Sequence, residues 1–203
     1  MMLWREPTRL ILASQSRARR ALLAGAGFSF DSIPADIDER AIQQASKLSA
    51  PGEIAALLAR EKARWVSLRY TGQYVIGADQ TLALGDHMFN KPADRAQAIE
   101  QLRALSGRRH ELHSAVAVAR DEEILFEHVS VAGMTMRSLS ETEIAAYAEE
   151  AGEKVVTASV GAYQLEGLGV HLFDRIEGDH FTILGLPLLP LLGFLRSRRL
   201  LAL

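Results

Sequence analysis

The 203-residue chain is 48% apolar and 24% charged, the composition of a folded globular protein rather than a disordered one. Its length suits one domain, or two lobes sharing a core, and its formal charge of −2 argues against bulk electrostatic binding to nucleic-acid backbones. With no cysteine, disulfides, thiolate metal sites and cysteine nucleophiles are excluded together, which fits a reducing compartment.

The amino-terminal Met1-Met2-Leu3-Trp4-Arg5-Glu6-Pro7 has no basic leader before a long apolar run, so it does not read as a signal peptide. Leu10-Ile11-Leu12-Ala13 is a short apolar run suited to a strand buried on both faces. Ser14-Gln15-Ser16 follows, and residues 17–25 carry Ala21, Leu22 and Leu23 on a helical pattern that a serine can cap. Residues 28–34 alternate as a strand, and residues 35–48 are polar and loop-like, with acids at Asp36, Asp38 and Glu39. Pro51 opens a helix carrying Ile54, Leu57, Leu58, Glu61, Lys62 and Trp65. Residues 74–79 form the next buried strand, finishing on Asp79, and Asp94 caps a further helix that ends before Gly107.

From His110 the pattern changes. Residues 111–119 and 124–136 alternate around a turn at Asp121-Glu122-Glu123, which predicts a long hairpin. Ser140-Glu141-Thr142-Glu143 is a capping box for a short helix through Tyr147. Residues 161–169 form a glycine-punctuated loop, residues 171–176 are strand-like, and Pro187 starts a closing helix. The most apolar stretch, residues 182–195, is too short to span a bilayer and is broken by Gly185, Pro187, Pro190 and Gly193. The expectation is a soluble, cytoplasmic α/β protein with a mixed sheet and no membrane partner.

Two segments carry chemistry. Serine hydroxyls, an arginine of Arg17-Ala18-Arg19-Arg20 and free amides at a strand-to-helix junction make a phosphate cradle, although a plain helix cap with a solvated basic turn fits equally well. An acid at the end of a buried strand, Asp79, lies where open α/β sheets place ligands, and the small Gly77 and Ala78 leave room there. It suits a metal ligand or a proton acceptor for water attacking phosphorus. The chain has only four lysines, among them Lys62 and Lys91, and each alone reads first as a surface cation. The six histidines lack metalloprotease spacing and read as structural or exposed, with His110 and His113 placed on one strand face. There is no GxxxxGK[ST] loop and no GxSxG elbow.

Taken in order, LILASQSRARRALL (10–23), DSIPADIDE (31–39), AREKA (59–63), VIGADQ (75–80), NKPAD (90–94), LRALSGRRHE (102–111), GAYQLEGLG (161–169) and IEGDHFTILGLPL (176–188) resemble the Maf family of nucleoside triphosphate pyrophosphatases. The resemblance covers almost the whole chain. It implies one elongated, two-lobed α/β domain over residues 1–203, with a mixed sheet, flanking helices and a nucleotide cleft between the lobes. It also implies hydrolysis of a nucleoside triphosphate to the monophosphate and pyrophosphate with Mg2+ or Mn2+, a house-cleaning role on modified nucleotides. By motif, Ser16, Arg19, Lys62 and Lys91 would hold the phosphates, Asp79 would be the general base, and Asp79 with Glu39 would bind the metal. Base selection is associated with Ala18, Gln80 and Glu166. Gln80 and Glu166 look like the branch acting on 7-methyl-GTP rather than the dTTP and UTP branch. The sequence departs from the family pattern at Arg17 and Ala18. A homodimer follows by resemblance, and the alternative function is a nucleotide-binding regulator of septation with incidental hydrolysis.

Overall fold

A computed structural model describes residues 3–203. Met1 and Met2, the first residues of the segment read for a leader, lie outside the described residues. The apolar run at the start becomes β1 (Leu10–Leu12), with all three side chains fully buried. It pairs in parallel with β2 (Phe30–Ser32), Leu10 opposite Phe30, and with β3 (Val75–Leu84), Ile11 opposite Val75. β4 (His87–Phe89), β5 (Arg109–Arg120), β6 (Glu123–Met136) and β7 (Phe173–Glu177) complete a seven-stranded mixed sheet. Its order is β2-β1-β3-β5-β6-β7, with β4 paired antiparallel to the end of β3. The helices are α1 (Arg17–Gly25), α2 (Glu39–Ser46), α3 (Pro51–Ser67), α4 (Arg95–Leu105), α5 (Glu141–Ala151), α6 (Glu153–Val156), α7 (His180–Ile183) and α8 (Leu188–Ser197). Among the described residues no helix is long and apolar enough to cross a membrane.

The chain forms two compact units. Among the described residues the first draws on the chain up to Gln80, Ser114–Ser130 and His180–Leu203, the second on Thr81–His113 and Val131–Asp179. Strands β3, β5 and β6 each contribute residues to both.

In the first unit, Leu10, Leu12, Ile76, Val116 and Val118 build the main core with Leu186, Leu191 and Leu195 from the carboxyl-terminal region. On the other side of the sheet, α3 packs through alanine. Ala55, Ala56, Ala59 and Ala63 meet Ala115, Ala117 and Ala119. Small side chains let backbones approach closely, and Gly77 of β3 takes this to its limit. A Cβ there would collide with the carbonyl of Ala59 and the amide of Ala63. That approach sets where the polar residues of α3 arrive.

The β5–β6 hairpin forms as its alternation predicts. Its turn is Asp121-Glu122, both left-handed with φ of 50° and 69°, the twist two-residue hairpin turns require. Asp121 Oδ1 accepts from the Gly72 amide at 2.7 Å and Ser67 Oγ from the Glu122 amide at 3.1 Å, which holds the strained pair in place.

In the second unit Asp94 caps α4 by accepting from the Gln97 amide at 2.8 Å. Ser140 and Glu143 form the capping box of α5, and the carboxyl of Glu143 is held down to about 2 by the Ser140 amide and by Arg137. That helix runs past Tyr147 to Ala151, because Ala148 and Ile144 continue its buried face.

Three expectations need correction. Residues 35–48 are not all loop: Asp38 accepts from the Ala41 amide at 3.0 Å and starts α2. β3 does not finish at Asp79 but continues to Leu84, since the apolar Leu82 and Ala83 are buried and pair with β4 across a Gly85-Asp86 turn. Asp79 is therefore mid-strand. His110 and His113, three residues apart on β5, cannot share a face of a strand whose side chains alternate. His110 is buried and His113 is partly exposed.

Candidate active site

Within the first unit the structure gathers Arg19, Glu39, Lys62 and Asp79, with Ser16 and Ala18 at the start of α1 and Gln80 next to Asp79 on β3. Lys62 is the hub. Its ammonium lies 2.5 Å from Asp79 Oδ1 and 2.7 Å from Glu39 Oε1. The side chains of Lys62 and Asp79 are each 10% exposed, that of Glu39 52%. The pairing is a consequence of the alanine seam: Lys62 lies between Ala59 and Ala63, the residues that pack on Gly77, two positions before Asp79. Glu39 comes from the first turn of α2, the element missing from the loop reading.

Arg19 reaches the same place from α1. Its Nη1 donates to the Ala78 carbonyl at 2.8 Å and to Ser14 Oγ at 3.4 Å, and its Nε donates to the Gly185 carbonyl at 2.8 Å. Gly185 is left-handed, with φ of 85°, and a Cβ there would press on the Arg19 guanidinium. Ser16 caps α1, accepting from the Arg19 amide at 3.4 Å, while its own amide donates to Ser14 Oγ at 3.2 Å. The helix-cap reading of this segment therefore holds. It also leaves the Arg19 guanidinium, which Ser14 Oγ accepts from, on the residue before Asp79, and Ala18 sits half-buried in the first turn.

Burial raises the pKa of Asp79 above its ordinary 3.8, outweighing the charges of Lys62 and Arg19 that act to lower it. Burial also lowers the pKa of Arg19, opposed by Asp79 and Glu39, but a guanidinium stays charged at neutral pH. The site thus couples a carboxylate of increased basicity to two cations. Chemically it can take a proton while its cations face a polyanion.

Gln80, next on β3, is firmly held. Its amide nitrogen donates to Ser114 Oγ at 2.8 Å and to the carbonyls of Thr182 and Ile183 at 3.1 and 3.0 Å. Ser114 Oγ donates in turn to Thr182 O at 2.7 Å. Ser114 and Gly185 escape sequence reasoning. The only signal for Ser114 is a polar residue that interrupts the buried run of β5, where it is 0% exposed.

The remaining two candidates belong to the second unit. Lys91 is exposed in the loop between β4 and α4, ahead of the buried Pro92. Glu166 is exposed in the loop that follows Tyr163. Among the described residues no group of three or more histidine or acidic side chains is arranged to hold a metal ion. Asp79 and Glu39 nonetheless offer the hard oxygen donors that Mg2+ and Mn2+ favour, brought to one ammonium, so the donor chemistry fits such an ion.

The family model described as Maf-like protein matches residues 9–198. The chain is 68% identical over 202 residues to a protein of Rhodopseudomonas palustris strain HaA2 named nucleoside triphosphate pyrophosphatase, covering all of both chains. A protein of Bradyrhizobium diazoefficiens with the same name is also 68% identical over 202 residues, again covering all of both. A Rhizobium etli protein named 7-methyl-GTP pyrophosphatase is 53% identical over 191 residues, 93% of this chain and 96% of that one. Among solved structures, a HAM1 protein from Coxiella burnetii is similar over 63% of this chain and 72% of that chain, at 22% identity and a TM-score of 0.41.

Proposed function

Because the chain belongs to the Maf-like protein family, we propose that it is a nucleoside triphosphate pyrophosphatase, releasing the nucleoside monophosphate and pyrophosphate. One observation carries the reading beyond the names of its relatives. A buried carboxylate with a raised pKa, Asp79, is paired to Lys62 and lies beside a strand-to-helix junction rich in phosphate-binding groups.

In the proposed reaction a water oxygen attacks the α-phosphorus. The new P–O bond forms as the bond from that phosphorus to the bridging oxygen breaks, and pyrophosphate leaves. Asp79 takes the proton of the water, a task suited to a carboxylate whose basicity burial raises. Ser16, Arg19, Lys62 and Lys91 are the proposed phosphate ligands, offsetting charge as it moves onto the leaving pyrophosphate. Arg19 has a second duty, since two of its donors already hold the Ala78 and Gly185 carbonyls. A divalent ion, Mg2+ or Mn2+, would be held by Asp79 and Glu39 and would supply further neutralisation of phosphate charge.

For the base we propose a modified purine of the 7-methyl-GTP type, with Ala18, Gln80 and Glu166 as the selecting positions. A carboxylate such as Glu166 accepts two parallel hydrogen bonds from a guanine edge and favours a cationic base. The amide nitrogen of Gln80 is committed to Ser114, Thr182 and Ile183, so a base would meet its oxygen. The name of the Rhizobium etli relative supports the same assignment. We extend the reading to a homodimer on the resemblance, and to the cytoplasm on the lack of cysteine, which suits a reducing compartment.

The test is pyrophosphate release by the purified protein with magnesium or manganese from 7-methyl-GTP, dTTP and UTP. Faster turnover of 7-methyl-GTP is expected. Preference for the pyrimidines overturns the base assignment, and nucleotide binding with no turnover favours the septation regulator.

A further inference from the structure

His110 of β5 is only 1% exposed, yet its ring makes one hydrogen bond, between Nε2 and the Tyr163 hydroxyl at 2.8 Å. Among the described residues its Nδ1 is the one buried side-chain nitrogen or oxygen without a hydrogen-bond partner. The ring packs against Tyr163 and Phe173, with centroids 5.7 and 5.9 Å away. Burial, with the charge of Arg109, holds its pKa down to about 4, so the imidazole is neutral at neutral pH. A buried nitrogen without a partner costs stability, which a purely apolar side chain would avoid. The chemistry of this residue is therefore concentrated in its bond to Tyr163.

Tyr163 is the root of a constrained segment. Gly161 and Ala162 are consecutive left-handed residues, with φ of 79° and 61°, and for alanine that conformation is strained. Two side chains hold them and a third holds Tyr163. Gln101 Oε1 accepts from the Gly161 amide at 3.0 Å, the Tyr147 hydroxyl donates to the Ala162 carbonyl at 3.3 Å, and Ser159 Oγ donates to the Tyr163 carbonyl at 2.5 Å. Beyond Tyr163 the chain folds back so tightly that a Cβ on Gly169 would strike the Gln164 backbone, which closes the loop carrying Glu166.

We propose that His110 is a positioning residue that, by holding the Tyr163 hydroxyl, fixes the loop of residues 163–169 and so governs the base selection assigned to Glu166. This rests on that assignment. The effect passes through Tyr163, with no contact from His110 to the nucleotide.

The experiment compares Tyr163→Phe, His110→Asn and His110→Gln with the intact protein, measuring pyrophosphate release from 7-methyl-GTP and UTP and hydrogen exchange of the loop amides. Tyr163→Phe and His110→Asn are expected to shift the ratio of kcat/KM for the two nucleotides by about fivefold, through KM rather than kcat. Exchange over residues 163–169 is expected to quicken about tenfold. His110→Gln extends an amide to the position of Nε2 and restores the ratio, whereas Asn reaches only the position of the unpartnered Nδ1. Should His110→Asn fail to fold, Tyr163→Phe, which loses one hydroxyl, carries the comparison. A wild-type ratio or wild-type loop exchange in Tyr163→Phe overturns the positioning role. If the intact protein cleaves no triphosphate, the hydrolase reading fails separately, and loop exchange in Tyr163→Phe still decides: quickened exchange supports the lock and unchanged exchange overturns it.

Discussion

Arg19 Nη1 donates to the Ala78 carbonyl, 2.8 Å away, and so ties helix α1 to the residue that precedes Asp79. The Nε bond to Gly185 makes the guanidinium a two-way brace as well as a proposed phosphate ligand. Lysine keeps the charge but lacks the planar fork. Arg19→Lys is expected to cost about 1.5–3 kcal/mol in urea unfolding and to lower turnover about a hundredfold. Turnover and stability both at wild-type values would show that the charge alone matters.

The raised pKa of Asp79 gives stability a definite pH dependence. The folded state binds this proton more tightly than the unfolded state, whose aspartate has the ordinary value of 3.8. The group's contribution is therefore fully present below pH 3.8 and is lost as pH rises through the folded pKa. At neutral pH, above the unfolded value of 3.8, the buried aspartate is a net cost, which Asp79→Asn removes while keeping an oxygen for Lys62 to donate to. The variant is expected to be at least as stable as wild type at neutral pH, with its advantage shrinking as the pH falls towards 4. Unfolding curves at the two pH values check this; an advantage that grows in acid would contradict it.

Removal of the Lys62 ammonium is a different case, because it leaves the Asp79 and Glu39 carboxylates without their shared partner. Lys62→Met is expected to destabilise the protein by about 3–5 kcal/mol at neutral pH. The loss should ease in acid as Asp79 takes up a proton. Urea midpoints measured across that range report it, and a loss independent of pH would show that packing rather than charge is responsible.

Gly77 tests the seam that delivers Lys62. A methyl group there meets helix backbone rather than a flexible side-chain end, so α3 must shift. Gly77→Ala is expected to cost about 1–3 kcal/mol, and turnover should fall with the lost Lys62–Asp79 contact. Wild-type activity in the folded variant would separate that contact from catalysis.

Ser140 supplies a control among residues outside the proposed site. Ser140→Ala removes the hydroxyl that accepts from the Glu143 amide and caps α5. A loss of about 1 kcal/mol is expected, with kcat/KM unchanged.

Much of the architecture is legible in the sequence because its signals are local. Ser16, Asp94 and Ser140 mark helix starts by capping chemistry, and alternation marks β5 and β6. Asp79 stands out as an acid in a buried run. Helix α2 is not legible in that way, because it has no buried side chain and is polar along most of its length, with Ile42 its one large apolar residue. The course of β3 beyond Asp79 depends on pairing with β4, a relation no single segment carries. The Lys62–Asp79 pair is likewise hidden: it follows from alanines on α3 and β5 and from the missing side chain of Gly77. His110 reads as structural from spacing alone, and only its bond to Tyr163 shows which loop it serves.

The most direct measurement is pyrophosphate release by Asp79→Asn beside wild type, on matched folded protein with magnesium and 7-methyl-GTP. Loss of a general base predicts turnover lower by about 10²–10⁴-fold with nucleotide binding retained. Turnover equal to wild type in the folded variant would contradict the role of Asp79 and, with it, the proposed chemistry.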